Sequence, residues 1–216
     1  MSYRLACLAF VVGAVSAAQA SVVIVSAEYI VSADAQAGSM ALSDLSADTV
    51  TASSGSYSAN IYVDEIVPAG QSAYAQSSAS AQWSSTSGTS IVGKTHGTAW
   101  ANDLGIGASA SARSRLVLYF DVPYDTTGTF DFEGVSSSVE RLVGGSWEAF
   151  ADADWSGSLS ASSYRWVLDK SYAVSGSGSH DGFADFTADV QAVPEPGTLL
   201  ALGVGAALAA RRRRRA

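Results

Sequence analysis

The chain has 216 residues, enough for one domain of ordinary size with a sufficient core, and a formal net charge of −8. Its one cysteine, Cys7, lies near the N-terminus, so the rest of the chain can form neither a disulfide framework nor a thiolate metal site. Between residues 21 and 193 there are 19 acidic and 6 basic residues. This negative charge argues against nucleic acid as a partner of the folded part.

The N-terminal segment has the three-part layout of a secretory signal peptide. Residues 1–20 carry Arg4 in a short polar start, then an apolar run over residues 5–15, and small residues at Ala18 and Ala20 where a signal peptidase needs room. We predict cleavage after Ala20. The alternative is that the segment is a buried N-terminal helix or strand of the domain.

The segment between the two ends contains several short alternating runs, which indicate a β-rich domain. Two of these runs are residues 164–168 and 172–174. The clearest run covers residues 108–122, in which Ala110, Leu118 and Phe120 share one face of a strand while Ser109 and Arg115 share the other. Residues 72–83 and 184–190 alternate in the same way, and 57–63 and 129–132 are also strand-like. Turn residues are predicted to separate these runs at 68–70, 102–103, 123–128, 144–145, 156–157 and 175–182.

This spacing, with almost no helical periodicity, predicts an all-β fold: an antiparallel, jelly-roll-like β-sandwich. Because alanine and serine bury little area, the first half should have a thin core and the second half, with Phe120, Phe130 and Trp166, a thicker one. The predicted organisation is a signal peptide at 1–20, a secreted domain at 21–192 and a tail at 193–216.

The tail begins with Pro194, Glu195 and Pro196, continues through an apolar stretch at residues 198–210, and ends in a cluster of arginines. As a helix, the apolar stretch covers roughly 20 Å of a hydrocarbon layer of about 30 Å, so a short transmembrane helix is feasible because long arginine side chains can reach the headgroups. A basic cluster of this kind is retained in the cytoplasm and keeps the preceding domain outside. The predicted membrane stop consists of Arg211, Arg212, Arg213, Arg214 and Arg215.

With these three parts in order, the tail resembles the PEP-CTERM sorting signal. The resemblance covers about the last two dozen residues, and its sorting motif is Pro194, Glu195 and Pro196. It implies recognition by an exosortase, a membrane-embedded transpeptidase-like protease, cleavage near the motif, and delivery to the cell surface or an exopolysaccharide matrix. The expected partners are therefore signal peptidase, an exosortase-like enzyme and, for the helix, the membrane. A nucleic-acid or localisation patch is the alternative interpretation of the arginines.

No sequence motif predicts a catalytic site. The chain has two histidines, His96 and His180, and His180 falls in the loop predicted at 175–182, so a structural or solvated role is expected for both. A Gly-x-Ser-x-Gly elbow and a phosphate-binding glycine loop are both absent from the sequence. We therefore expect no enzyme and no catalytic residues.

Calcium is the one candidate cofactor, because carboxylates are its usual ligands. Two acidic groups could bind calcium through oxygen, although their spacing matches no EF-hand and solvated loops are the competing interpretation. The same residues could form a glycosidase pair. No cofactor or metal residue is assigned, and calcium is left open. The two groups are Asp152 with Asp154, and Asp121 with Asp125, Asp131 and Glu133.

Tryptophans are the candidate glycan contacts. Trp83 and Trp166 lie in alternating runs and are expected in the core, whereas Trp147 and Trp155 flank an acidic stretch and are expected to be more exposed. The leading hypothesis is an exported structural or interaction protein of the cell surface or exopolysaccharide matrix. The first alternative is a carbohydrate-binding module that uses Trp147 and Trp155, with or without calcium, and the second is a secreted hydrolase.

Overall fold

A computed structural model describes residues 22–67, 70–86 and 89–191. In this part of the chain there are twelve β-strands and no helix, and hence no helix long and apolar enough to cross a bilayer. The strands are β1 (Val23–Ala37), β2 (Met40–Val50), β3 (Ser54–Ile66), β4 (Ser72–Thr86), β5 (Ser90–Leu104), β6 (Ala108–Val122), β7 (Thr126–Gly134), β8 (Ser138–Val143), β9 (Ser146–Ala151), β10 (Trp155–Leu159), β11 (Ser162–Ser175) and β12 (Gly178–Val190).

These strands form two six-stranded antiparallel sheets that pack around one core. The first sheet has the order β2-β1-β6-β11-β8-β9 and the second has the order β10-β7-β12-β5-β4-β3. The predicted all-β class and two-layer antiparallel architecture are confirmed.

The last eight strands are wound in a nested order. β5 pairs with β12, β6 with β11, β7 with β10 and β8 with β9, and successive pairs alternate between the two sheets. This is the strand order of a jelly roll, in which a long ribbon folds over on itself. The first four strands widen both sheets, because β1 and β2 continue the first sheet beside β6 while β4 and β3 continue the second beside β5.

The strand predicted most clearly, residues 108–122, is β6, with the bounds expected from its alternation. It lies at the centre of the first sheet between β1 and β11, so its inward side chains are covered by the second sheet. Leu116, Leu118 and Phe120 are fully buried. Alternation was readable here because a central strand has one face in the core and one face in water.

The core changes in thickness along the strands. At one end small side chains meet, with Ala112 of β6 opposite Ala33 of β1, and at the other end Phe120 packs against Tyr164 of β11. The expected contrast between a thin and a thick core is therefore present, but it runs from one end of the sandwich to the other. The first half of the chain also contributes an aromatic stack, formed by Tyr29, Tyr57 and Trp83.

Glycines in the second sheet make room for aromatic rings of the first. Gly97 of β5 and Gly182 of β12 are register partners, and the ring of Tyr172 lies over both, so a Cβ on Gly97 would be 2.4 Å from that ring. In the same way, a Cβ on Gly93 would be 2.5 Å from the ring of Trp166. These contacts join the two sheets more closely than any larger side chain would allow.

Two predicted turns were wrong, because Asn102 and Asp103 lie within β5 and Ser156 and Gly157 lie within β10. Two others were predicted too long, because residues 126–128 belong to β7 and residues 178–182 belong to β12. The loop predicted at 175–182 is therefore only the short connection before Gly178. Glycine and serine are poor strand formers by composition, but here their backbone groups pair with those of β5 and β7, and that pairing decides the structure.

The turn between β5 and β6 is held by one carboxylate. Oδ1 of Asp103 accepts hydrogen bonds from the backbone N–H groups of Gly105, Ile106 and Gly107, at 2.9, 3.1 and 2.8 Å. Gly105 and Gly107 both have positive φ angles, 113° and 90°, which L side chains rarely adopt. Hydrogen bonds from the backbone, first that of Gly105, lower the pKa of Asp103.

This turn gives a pH-dependent prediction for D103N. A carboxyl group whose pKa is lower in the folded state stabilises the fold above its unfolded pKa, about 3.9, and the contribution is lost as the pH falls through the folded pKa. We therefore expect D103N to melt below the wild type by roughly 2–4 °C at pH 7. This difference in melting temperature should become smaller below about pH 4.

Thermal melts at pH 7 and in acid measure the difference at each pH. D152N is the control, because Asp152 is exposed in the turn before β10. An equal difference in melting temperature at the two pH values would contradict the role of the Asp103 carboxylate in holding the turn.

Both predicted terminal segments lie outside the described residues. These are the signal peptide with Ala18 and Ala20, and the tail with Pro194, Glu195, Pro196 and the five arginines from Arg211 to Arg215. Their helical or cleaved state, and the domain bounds drawn from them, stay predictions.

Candidate functional site

The two tryptophans predicted to contact glycan are both partly covered. Trp147 of β9 lies under the guanidinium of Arg165, whose carbon is 4.7 Å from the ring centroid, and meets Tyr119 edge-on at 5.8 Å. Trp155 of β10 packs against Phe130 at 5.3 Å between ring centroids. Both are nevertheless more exposed than Trp83 and Trp166, as expected, and their role in glycan contact stays an untested prediction.

Of the other three tryptophans, two are buried in the core and one is exposed. Trp83 and Trp166 are in the core, as predicted, with 3% and 0% of their surface exposed. Trp100, which received no role from its sequence context, is 40% exposed on the outer face of the second sheet. It therefore becomes the tryptophan most available to a ligand among the described residues.

The outer face of the first sheet carries a network of paired charges. Arg113 donates two hydrogen bonds to Asp169, at 2.9 and 2.6 Å, and Arg115 lies 3.7 Å from both Asp169 and Glu28. Hydrogen bonds from Arg113 lower the pKa of Asp169. Tyr119 donates a hydrogen bond to Glu28 at 2.9 Å, and burial, followed by this contact, raises the pKa of Tyr119.

This network does not have the form of an acid and base pair. A general acid at neutral pH needs a carboxyl group with a raised pKa, whereas the pKa of Asp169 is lowered by the arginine that it faces. Glu140 is likewise paired with Arg165, whose Nε lies 2.8 Å from its carboxylate. Asp169 and Glu140 are thus both held in ion pairs with arginines of the same face.

Four acidic residues proposed as a calcium group do not converge. Asp121 lies on the outer face of the first sheet, where Ser163 donates to it at 2.6 Å, and Asp125 accepts from the backbone N–H of Ala161 at 2.7 Å. Asp131 and Glu133 lie on β7 in the second sheet. Within the described residues no three side chains of histidine, cysteine, aspartate or glutamate come together as a metal group would require.

In the second acidic group, Asp154 accepts a hydrogen bond from the backbone N–H of Phe132 at 2.9 Å, a role that fixes the end of β7. The histidines also lie apart. His96 is exposed on the outer face of β5, whereas His180 of β12 stands edge-on to the ring of Tyr172 at 5.4 Å. His180 is thus on a strand and not in the predicted loop, because β12 already pairs with β5 at this point.

The outer face of the second sheet has a different character. Along β3, β4 and β5 the outward positions hold mainly hydroxyl, amide and aromatic side chains, and we call this surface the neutral face. Its exposed aromatic rings are Tyr62 of β3, 53% exposed, and Trp100 of β5. Both are register partners of Gln76 on β4, so the three residues form one row across the sheet. Phe183 of β12, 43% exposed, borders the face.

Beside this row the hydroxyl groups of Ser78 and Thr98 hydrogen-bond to each other at 2.8 Å. A shallow hollow of about 310 Å³ lies further along the same face. It is lined by polar residues, among them Gln82 and His96, and by the phenyl ring of Phe183. Lys94 and Asp185, which are ion-paired at 2.7 Å, also line it. The hydrogen bond to Asp185 raises the pKa of Lys94.

Sequence reasoning missed Tyr62, Trp100 and Phe183. A signal was present for Trp100, because Ala99 and Ala101 on either side of it are small and belong to the buried phase of the strand. A large ring in the opposite phase is placed on the surface.

Beyond this sandwich, the decisive observation concerns the tail. A model of the PEP-CTERM protein-sorting motif matches residues 192–215. The tail is a PEP-CTERM sorting motif. The predicted resemblance is therefore confirmed, and its bounds agree with the tail predicted at 193–216 to within one residue at each end. No curated protein and no solved structure matches the chain.

The PEP-CTERM motif implies processing by an exosortase-like enzyme, export and a membrane-anchored stage in transit. It begins immediately after Gln191, the last described residue, whose backbone N–H donates to the carbonyl of Thr127 at 2.8 Å. The sandwich is thus hydrogen-bonded up to the residue at which the sorting motif starts.

Proposed function

We propose that this chain is a non-enzymatic protein of the cell surface or exopolysaccharide matrix, exported with the help of a cleaved signal peptide, held briefly in the membrane by its PEP-CTERM tail, and then released. The observation that carries the proposal is the match of residues 192–215 to the sorting motif directly behind a β-sandwich.

The junction between sandwich and tail supports release by cleavage. Val190 is the last residue of β12, and its N–H donates to the carbonyl of Thr89 at 2.8 Å. A cut near Pro194 would leave β12 and all of its partners in the sheet intact. The domain could therefore leave the membrane without unfolding.

A structural or interaction role is supported by the pairing of the sandwich's charges. The arginines on the outer face of the first sheet are ion-paired to carboxylates, and Asp169, which faces two of them, has a lowered pKa. The described residues form a two-layer body whose outer sheet faces are open to contact with a partner.

Processing can be tested with E195Q in cells that export the full chain. We expect E195Q to accumulate as a longer, membrane-associated form, because the substitution alters the sorting motif. Mass spectrometry of the wild-type product should give an N-terminus at about Ser21 and a C-terminus near Pro194.

The matched control is E148Q, which removes the same charge from an exposed position on β9 and should be processed like the wild type. Recovery of the wild-type protein from the cell surface with all five terminal arginines still attached would refute release by cleavage.

A further inference from the structure

We propose that the neutral face of the second sheet binds a neutral polysaccharide chain, with Trp100 and Tyr62 as stacking platforms. The inference deepens the proposed function by naming the chemistry of a partner, and it rests on export because such chains lie outside the cell. The binding itself can be tested separately.

The placement of the aromatic rings is the first argument. Tyr62 and Trp100 lie in one row two strands apart, which is roughly 10 Å at the usual spacing between strands. Both rings are 40% exposed or more, although the same chain buries Trp83 and Trp166 almost completely. A sheet face that presents two rings at this separation can stack against two sugar rings of one extended chain.

Polar groups between the rings complete the recognition chemistry. Gln76 lies between Tyr62 and Trp100 in the row and offers an amide donor and an acceptor. Ser78 and Thr98 add hydroxyl groups, each of which can donate and accept. Sugars present the same combination, a weakly polar ring face bordered by hydroxyl groups, so the surface and the ligand match in kind.

The distribution of charge on the second sheet favours a neutral polysaccharide over charged partners. On the outward side of β3, β4 and β5 the charged residues are Asp64 at one end and Lys94, which is already paired with Asp185. The acidic residues of this sheet instead face outward on the neighbouring β12 and β7, at Asp131, Glu133, Asp181, Asp185 and Asp189.

This uncharged surface complements an uncharged chain, and the carboxylates beside it repel polyanionic polysaccharides. An anionic membrane surface would need exposed lysine or arginine, which the neutral face does not offer beyond the paired Lys94. The polysaccharide is therefore the occupant that the charges favour.

The test is affinity gel electrophoresis of the full-length chain in a mild detergent, with hydroxyethyl cellulose or galactomannan in the gel as neutral probes and alginate as the anionic probe. We expect at least one neutral probe to retard the wild type. W100A should weaken that interaction on the order of tenfold, the scale associated with losing one ring-stacking contact. Y62A should weaken it in the same direction.

Y124A is the matched control, because Tyr124 is 55% exposed in the connection between β6 and β7, away from the neutral face. Its mobility should equal that of the wild type, and retardation by the neutral probe should persist at high salt because charge contributes little. Melting temperatures of W100A and Y62A show whether each variant is folded.

Four results would overturn the proposal. They are no retardation of the wild type by either neutral probe, wild-type binding by folded W100A and Y62A, a loss of binding in Y124A as large as that in W100A, or stronger retardation by alginate than by the neutral probes.

If polysaccharide binding fails but the tail is processed normally, the binding proposal is refuted and the proposed export stands. If the chain binds polysaccharide but is not processed, the proposed export is refuted and the binding proposal stands.

Discussion

Replacing Gly97 with alanine is expected to lower the free energy of unfolding by about 1–3 kcal/mol. The new Cβ would be 2.4 Å from the ring of Tyr172, which also lies over Gly182 on the neighbouring strand, so the ring cannot move aside along the sheet. In an unobstructed strand the same substitution would stabilise the protein by about 0.4–1 kcal/mol through the unfolded state. The steric cost is larger than this gain, so the net effect of the substitution on the free energy of unfolding is destabilising.

Urea unfolding of G97A, Y172L and the double variant measures this effect and its cause. If the ring is the obstacle, G97A should cost much less in the Y172L background than alone, which a double-mutant cycle resolves. G178A is the control: it makes the same change at the exposed start of β12, where a new Cβ would be 3.1 Å from a methyl group of the Val174 side chain. A G97A variant as stable as the wild type would show that the two sheets are not held this closely.

Replacing Phe130 with alanine should have the largest effect of any substitution considered, a loss of about 3–5 kcal/mol in the free energy of unfolding. Phe130 is fully buried at the thick end of the core. Its ring contacts Phe120, Tyr164 and Phe186 at 5.8 to 6.3 Å between centroids, so both sheets meet on it. Alanine would leave a cavity that neighbouring rings, each held by other contacts, cannot fill.

Chemical denaturation monitored by tryptophan fluorescence measures this loss. Y124A serves as the comparison, since removing an exposed ring should change the free energy of unfolding by no more than about 0.5 kcal/mol. Similar losses in F130A and Y124A would contradict the assigned position of the core.

Strands that alternate between large apolar and polar residues could be predicted from the sequence. The strand at 108–122 was placed with its observed bounds, because Leu116, Leu118 and Phe120 mark its buried face. β5 escaped prediction because its inward positions include Gly93, Thr95 and Gly97, which carry no apolar signal. β2 was not predicted because it is an edge strand exposed on both faces along most of its length, so its sequence does not alternate between apolar and polar residues.

The site was less predictable than the fold, since it depends on which strands are neighbours. An acidic stretch around Trp147 suggested exposure, but strand pairing places Arg165 over its ring, and nothing local in the sequence connects those two residues. The neutral face likewise joins Tyr62 to Trp100 through β4, across 38 positions of the chain. By contrast, the tail was recognisable because its three parts are contiguous.

β12 is the last of the described strands along the chain, yet it occupies an interior place in the second sheet, between β5 and β7. Until ribosomes have delivered residues 178–190, two rows of backbone groups lack partners and the sheet stays in two pieces. The second sheet can therefore close only once the segment directly before the sorting motif is present, and a chain cut short within residues 178–190 is expected to leave β5 and β7 each with an unpaired edge.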